Sequence, residues 1–267
     1  MSFDPHTPNL ARMYDYMLGG KDNLAVDREA ADQLAQHIPD AVPLAKANRA
    51  FLQRAVRHLA AAGIRQFLDL GSGLPTQGNV HEVVRDISPD AKVVYVDHDP
   101  VVAAHARALL EEQGRVAFAQ ADLLRPRELL AMPEVTGLLD LSEPVAVLLV
   151  SILHFVQDAD DPQGMVKILR DALAPGSYLV LTHGVWTLGN EEKEEAEERA
   201  RDVYRGSSTR GAAGRSAEEI RAFFGDFELV EPGLVRVTDW RPDEEPLIGD
   251  APLSGYLLAG VARKPLG

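Results

Sequence analysis

The sequence predicts one α/β domain over residues 1–267: a seven-stranded, mostly parallel sheet with an antiparallel edge and helices on both faces, introduced by about sixty residues of helix. Three observations carry this prediction. Between residues 65 and 183, short apolar runs alternate with amphipathic stretches, as in parallel sheets covered on both faces. The intervening stretches carry Asp-Pro starts and Gly stops. Two further strand patterns then follow one another across a Pro-rich loop, which suits an antiparallel pair at the sheet edge.

The first helix starts at Thr7-Pro8, repeats Leu10, Met13, Tyr14, Met17 and Leu18 at helical spacing, and ends at Gly19. A second fits Asp27 to Ile38 before Pro39. A third fits Pro43 to Ala62, with Ala47, Phe51, Ala55 and Leu59 on one stripe and Gly63 as terminator. Residues 1–63 thus read as a helical N-terminal part and 64–267 as the sheet-bearing core. Strands are expected at 65–70, 92–97, 115–122, 145–151 and 177–183, with helices from Asp99 to Gly114 and Asp161 to Gly176. The run 190–204 is helical, with Glu195 and Arg199, and Glu197 and Arg201, at i,i+4 spacing on what reads as a solvated face. "SAEE" at 216–219 is a capping box, and 227–237 and 254–264 are the last two strands.

A formal charge of -14, from 27 Lys plus Arg against 41 Asp plus Glu, repels a phosphate backbone and favours a small-molecule partner over nucleic acid. No cysteine is present, which excludes disulfides and thiolate metal sites. No closely spaced His/carboxylate cluster of metal-site type occurs. The N-terminus lacks a signal-peptide pattern and no apolar run is long enough to span a bilayer, so a cytoplasmic protein is expected.

The chemistry concentrates in "FLDLGSGLPTQGN", 67–79, where a strand ends in Asp69 and runs into Gly71-Ser72-Gly73. Glycines there let the backbone turn sharply and approach a nucleotide at the carboxyl end of the first strand. A dinucleotide fingerprint needs a third glycine at position 76, which is Thr76, and this disfavours NAD. Asp97, ending the second strand, suits the two hydroxyls of a ribose, since Asp99 already serves as the helix cap. Asp122, ending the third, reads equally as an acceptor for an adenine amino group or as a loop cap.

Asp-Leu-Gly-Ser-Gly, Val-Asp and Ala-Asp-Leu together resemble the Rossmann-like S-adenosylmethionine-dependent methyltransferases over residues 64–183, and the two late strands fit that fold's reversed edge. "ARMYDYMLGGKDN", "DREAAD", "NRAFLQRAV", "FLDLGSGLPT", "EPGLV" and "WRP" closely resemble an actinobacterial group of such enzymes whose substrates are largely unassigned. The resemblance implies S-adenosylmethionine as cofactor, with Asp69, Gly71, Ser72 and Gly73 around its methionine part, Asp97 on the ribose, His98 flanking the adenine, and Asp122 with Leu123 at its amino edge.

The ends of strands four and five supply the acceptor side: Ser151, His154 and Phe155, facing His183 and Trp186. His154 is the candidate general base, or else a histidine bonded to loop backbone. Phe155 and Trp186 serve either as packing or as substrate contacts. Something must cover this sheet edge, and the first helix is the candidate lid. Leu10, Tyr14, Met17 and Leu18 would dock it, with Arg12, Asp15, Tyr16 and the Gly19-Gly20 turn toward the pocket and Tyr14 and Tyr16 as main contacts. A non-catalytic S-adenosylmethionine sensor and an NAD-dependent oxidoreductase are the alternative functions.

Overall fold

The computed structural model describes residues 4–75, 78–185, 191–243 and 257–266. Five parallel strands form the sheet centre: β1 (Gln66–Leu70), β2 (Lys92–Asp97), β3 (Val116–Gln120), β4 (Ala146–Val150) and β5 (Tyr178–Gly184). Three more close it: β6 (Glu228–Leu229), β7 (Val235–Arg236) and β8 (Leu257–Arg263). The order is β3-β2-β1-β4-β5-β8-β6, with β7 also on β8. β8 runs antiparallel to β5 and to the β6/β7 edge. The strand expected over 227–237 is broken in two, because Pro232 offers no N–H and Gly233 adopts φ 95 in the turn between the halves.

Side-chain parity along the strands makes the layers. Phe67, Val93, Tyr95, Phe118, Leu148 and Val180 face one side. There they pack on α3 (Ala41–Ala61), α4 (Val80–Arg85) and α5 (Pro100–Leu109) through Phe51, Val84 and Val102. Leu68, Val94, Val147, Leu149 and Leu181 face the other. Here α6 (Pro126–Leu130), α7 (Pro133–Thr136), α8 (Pro162–Ala172) and α10 (Ala217–Ala222) close the layer through Leu129, Val135, Leu169 and Ile220. This period-2 alternation puts helices on both faces.

A third cluster lies among α1 (Leu10–Met17), α2 (Ala25–His37), α3 and α9 (Glu191–Arg205), around Met13, Met17, Ala31, Leu34 and Ala200. α1 begins two residues later than Thr7-Pro8 suggests: Asn9 is the N-cap, its side chain accepting from the Arg12 N–H at 3.2 Å. α9 is solvated along Glu195 and Arg199, but Glu197 is buried, so its inner face packs inward rather than carrying a purely exposed charge pattern. Asp99 and Asp161 cap α5 and α8, and Ser216 with Glu219 forms the box that opens α10.

Candidate functional site

A cavity of about 580 Å³ lies at the carboxyl edge of the sheet, between the strand ends and α1–α3. Asp69, Gly71, Ser72, Gly73, Asp97, His98, Asp122, Leu123, Ser151, His154 and Phe155 all line it, together with Tyr14 and Asp15 of α1. Tyr16, Gly19, Gly20 and His183 do not. Trp186 lies outside the described residues.

The turn after β1 is shaped by two glycines. The Gly71 N–H still bonds the Val96 carbonyl at 2.8 Å, and a Cβ on Gly71 would meet the Ile152 side chain at 2.6 Å. Gly73, at φ +65, donates its N–H to Asp97 Oδ2 at 3.0 Å, and the nearest atom to a Cβ there would be 4.0 Å away. Bare backbone therefore faces the cavity. The Asp99 N–H bonds the other Asp97 oxygen at 3.0 Å, so each carboxylate oxygen is oriented and keeps a further lone pair for a ligand. Burial raises the Asp97 carboxyl above its ordinary range, against the pull of these N–H groups. Burial also pushes Asp69 up to about 7, with Arg49 opposing and Asp97 adding to the rise.

Around this pair His98 is half-exposed, its Nδ1 3.6 Å from Asp97 Oδ1. Asp122 caps its own loop by accepting the Leu124 N–H at 2.9 Å, as its loop-cap reading has it, and it also lines the cavity. Asn9 joins the far ends of the chain here. Its Nδ2 donates to Asp99 Oδ2 and, at 3.3 Å, to Ser208 Oγ, and its backbone N–H reaches Asp27 at 2.9 Å.

On the opposite side Ser151 adopts φ 55 and donates its N–H to Thr182 Oγ1 at 2.8 Å. His154 is part-buried, and its Nδ1 has no hydrogen-bond partner among the described residues. Burial, with His183 and Arg215 nearby, holds its pKa well below the ordinary histidine value, so the ring is neutral at pH 7. The His154 carbonyl, not its ring, bonds loop backbone, through the Ala213 N–H at 2.7 Å. His183 was expected to face it across the pocket. Instead it is fully buried beneath the cavity wall, with Nδ1 on the Gly184 carbonyl at 2.6 Å and Nε2 against Arg215 at 2.9 Å. Burial lowers it to about 4. Arg215 also donates to the Leu153 and Val156 carbonyls at 2.9 and 2.8 Å, which pins the loop that presents His154.

The α1 face that meets the cavity is mostly the apolar one: Tyr14 and Asp15 reach it as expected, but Arg12, Tyr16 and the Gly19-Gly20 turn do not. Met13, Tyr14 and Met17 line it, whereas Arg12 is buried in an ion pair with Asp27 at 2.7 Å and Tyr16 turns out to bond Asp32 at 3.1 Å. Apolar periodicity marks a buried face without saying what that face meets. The Gly-Gly turn serves Asp15. Asp15 Oδ2 accepts the Asp22 N–H at 2.9 Å and Asn23 Nδ2 at 2.8 Å, and a Cβ on Gly20 would lie 1.9 Å from Asp15 Oδ1. Arg49, Asn48 and Asn9 are cavity residues that sequence reasoning missed: Asn48 and Arg49 open the quoted NRAFLQRAV stretch without being assigned to the site, and Asn9 sits in a helix cap. Among the described residues no His/Cys/Asp/Glu group could hold a metal, and no helix is long and apolar enough to cross a membrane.

Comparison with known proteins follows the same lines. The family model described as S-adenosyl methyltransferase matches residues 1–265. A crystal structure of a candidate methyltransferase from Thermobifida fusca YX is 44% identical, with a TM-score of 0.89 over 97% of this chain and 96% of that one. A DUF574 family protein from Streptomyces avermitilis MA-4680 is 39% identical, with a TM-score of 0.90 over 98% of this chain and 99% of that one. An O-methyltransferase family protein from Burkholderia thailandensis, 16% identical with a TM-score of 0.52 over 88% of this chain and 63% of that one, shares the fold alone. No curated protein matches.

Proposed function

We propose, from the premise that this chain belongs to the S-adenosyl methyltransferase family, that it transfers a methyl group from S-adenosylmethionine to a small-molecule acceptor held in the cavity beneath α1. The observation that carries the reading is Asp97: a buried carboxylate fixed by the Gly73 and Asp99 N–H groups, with lone pairs left over at the rim of a glycine turn. That carboxylate fits a ribose diol better than a phosphate, since it accepts from hydroxyls and repels phosphate.

When bound, S-adenosylmethionine supplies a methyl group on a sulfonium, already an activated leaving group, so orientation and water exclusion are what the protein must add. Asp97 would hold the ribose, His98, Asp122 and Leu123 the adenine, and Asp69, Gly71, Ser72, Gly73 and Ser151 the methionine part. His154, neutral and facing the cavity, would accept a hydrogen bond or proton from the acceptor. Residues 1–63 would act as the lid and 64–267 as the core of one domain, with α1 excluding water through Met13, Tyr14 and Met17.

Titration calorimetry with S-adenosylmethionine and S-adenosylhomocysteine tests this directly. Binding at micromolar concentrations is expected, and Asp97→Ala should weaken it about tenfold or more, the loss of charge-assisted hydrogen bonds to a ribose. Unchanged affinity in Asp97→Ala would remove the ribose assignment, and no binding at all would remove the reading.

A further inference from the structure

The half of the cavity away from the glycine turn differs in chemistry from the half beside it. An aromatic wall runs along one side: the His154 and Phe155 rings lie 4.2 Å apart, and Phe155 meets Tyr204 edge-on at 5.2 Å. Met13, Met17 and Leu34, which share one packed cluster with Tyr204, line the cavity as well. Sulfur and aliphatic surface beside aromatic rings suits a flat π-system better than a hydrated one.

Polar groups on this side are already spent. The Tyr14 hydroxyl donates to the Ala45 carbonyl at 3.0 Å and accepts from Asn48 Nδ2 at 2.9 Å. Asn48 Oδ1 accepts from Thr182 Oγ1 at 2.8 Å. Asp15 is satisfied by its own turn, and Asp160 is paired with Arg210. His154 Nδ1 and the Tyr204 hydroxyl are the exceptions: the first is buried and without a partner among the described residues, and the second makes no hydrogen bond there either. Charge argues against ions of either sign. Among the described lining residues, six carboxyl groups face the cavity against two guanidinium groups, which repels an anion. A cation in the apolar half would be desolvated with no carboxylate left to meet it.

We infer that this half of the cavity is a binding subsite for an uncharged, planar aromatic molecule carrying a hydroxyl on its rim, stacked against Phe155 and Tyr204 with that hydroxyl toward His154. Its role as the methyl-acceptor subsite rests on the methyl-transfer reading; the binding itself does not.

The probe is 2-naphthol, neutral at pH 7 and fluorescent, compared with 2-naphthoate, which is anionic, and decahydro-2-naphthol, which is not planar. The expected result is that 2-naphthol binds at least about tenfold more tightly than either, a difference of roughly 1.4 kcal/mol, and binds alongside S-adenosylhomocysteine rather than competing with it. Met17→Lys should abolish 2-naphthol binding. Phe155→Leu, milder and checked by a melting curve, should weaken it severalfold if the lysine variant does not fold. Equal binding of the three probes, competition with S-adenosylhomocysteine, or no 2-naphthol binding by a protein that binds S-adenosylhomocysteine would each overturn the subsite. Binding of 2-naphthol by a protein that takes no S-adenosylhomocysteine would support the subsite while removing the methyl-transfer reading.

Discussion

Burial acts visibly on Asp69, since the end of β1 is both the centre of the sheet and the floor of the cavity. Its folded pKa of about 7 exceeds the unfolded carboxyl value, so the native state holds this proton more tightly than the unfolded chain does. The resulting stability is fully present below about pH 4 and is lost as pH rises through 7. Asp69→Asn should therefore melt higher than the parent at pH 8, by at most on the order of 4 kcal/mol, and show no advantage near pH 4; an advantage that grows toward acid would contradict this. On the proposed binding mode the ammonium of S-adenosylmethionine would ionise Asp69. Calorimetry at pH 6.5 in two buffers of different ionisation enthalpy should then report proton release that fades by pH 8.5. The sequence places this carboxylate at a strand end. Its protonation depends on how much apolar chain surrounds it, which only the packed sheet sets.

The turn that ends α1 shows what an element adds to its residues. Gly19 adopts φ +83 with open space around it, while a Cβ on Gly20 would collide with the Asp15 carboxylate. Gly19→Ala should cost about 1 kcal/mol from the left-handed backbone alone. Gly20→Ala should cost about 1–3 kcal/mol, because Asp15 must give up its bonds to Asp22 and Asn23 or the turn must open. Denaturant titration of both variants separates the two, and equal destabilisation would show that Asp15 is not the reason for the second glycine. Elements whose ends are capped by neighbours in sequence were readable in advance, as Asp99-Pro100, Asp161-Pro162 and Ser216 to Glu219 show. α4, α6 and α7 went unread, being one or two turns long and too short for periodicity to show.

Across the whole molecule, Asn9 ties the first helix to the cavity rim beside the glycine turn through Asp99 and to the segment after α9 through Ser208, whose N–H returns to the Pro8 carbonyl at 2.8 Å. If α1 is the lid, this contact holds it shut. Asn9→Ala should raise the dissociation rate of S-adenosylhomocysteine about fivefold, the worth of one hydrogen bond of about 1 kcal/mol, with little change in association. Stopped-flow fluorescence measures both rates, and an unchanged dissociation rate would show that the contact does not gate release.

The sequence by itself determined the order of the five central strands and the longer helices, the reversed last strand and the glycine turn with its acidic strand ends, because propensity, capping and parity act over a few neighbouring residues. Tertiary structure decided which faces meet. Tyr14 bonds Ala45, Asn48 bonds Thr182, and Arg215 pins both His183 and the loop that presents His154. These partners lie 31, 134, 32 and 62 positions apart in the chain. Such pairs satisfy buried polar groups wherever packing happens to leave them, a requirement no local pattern encodes.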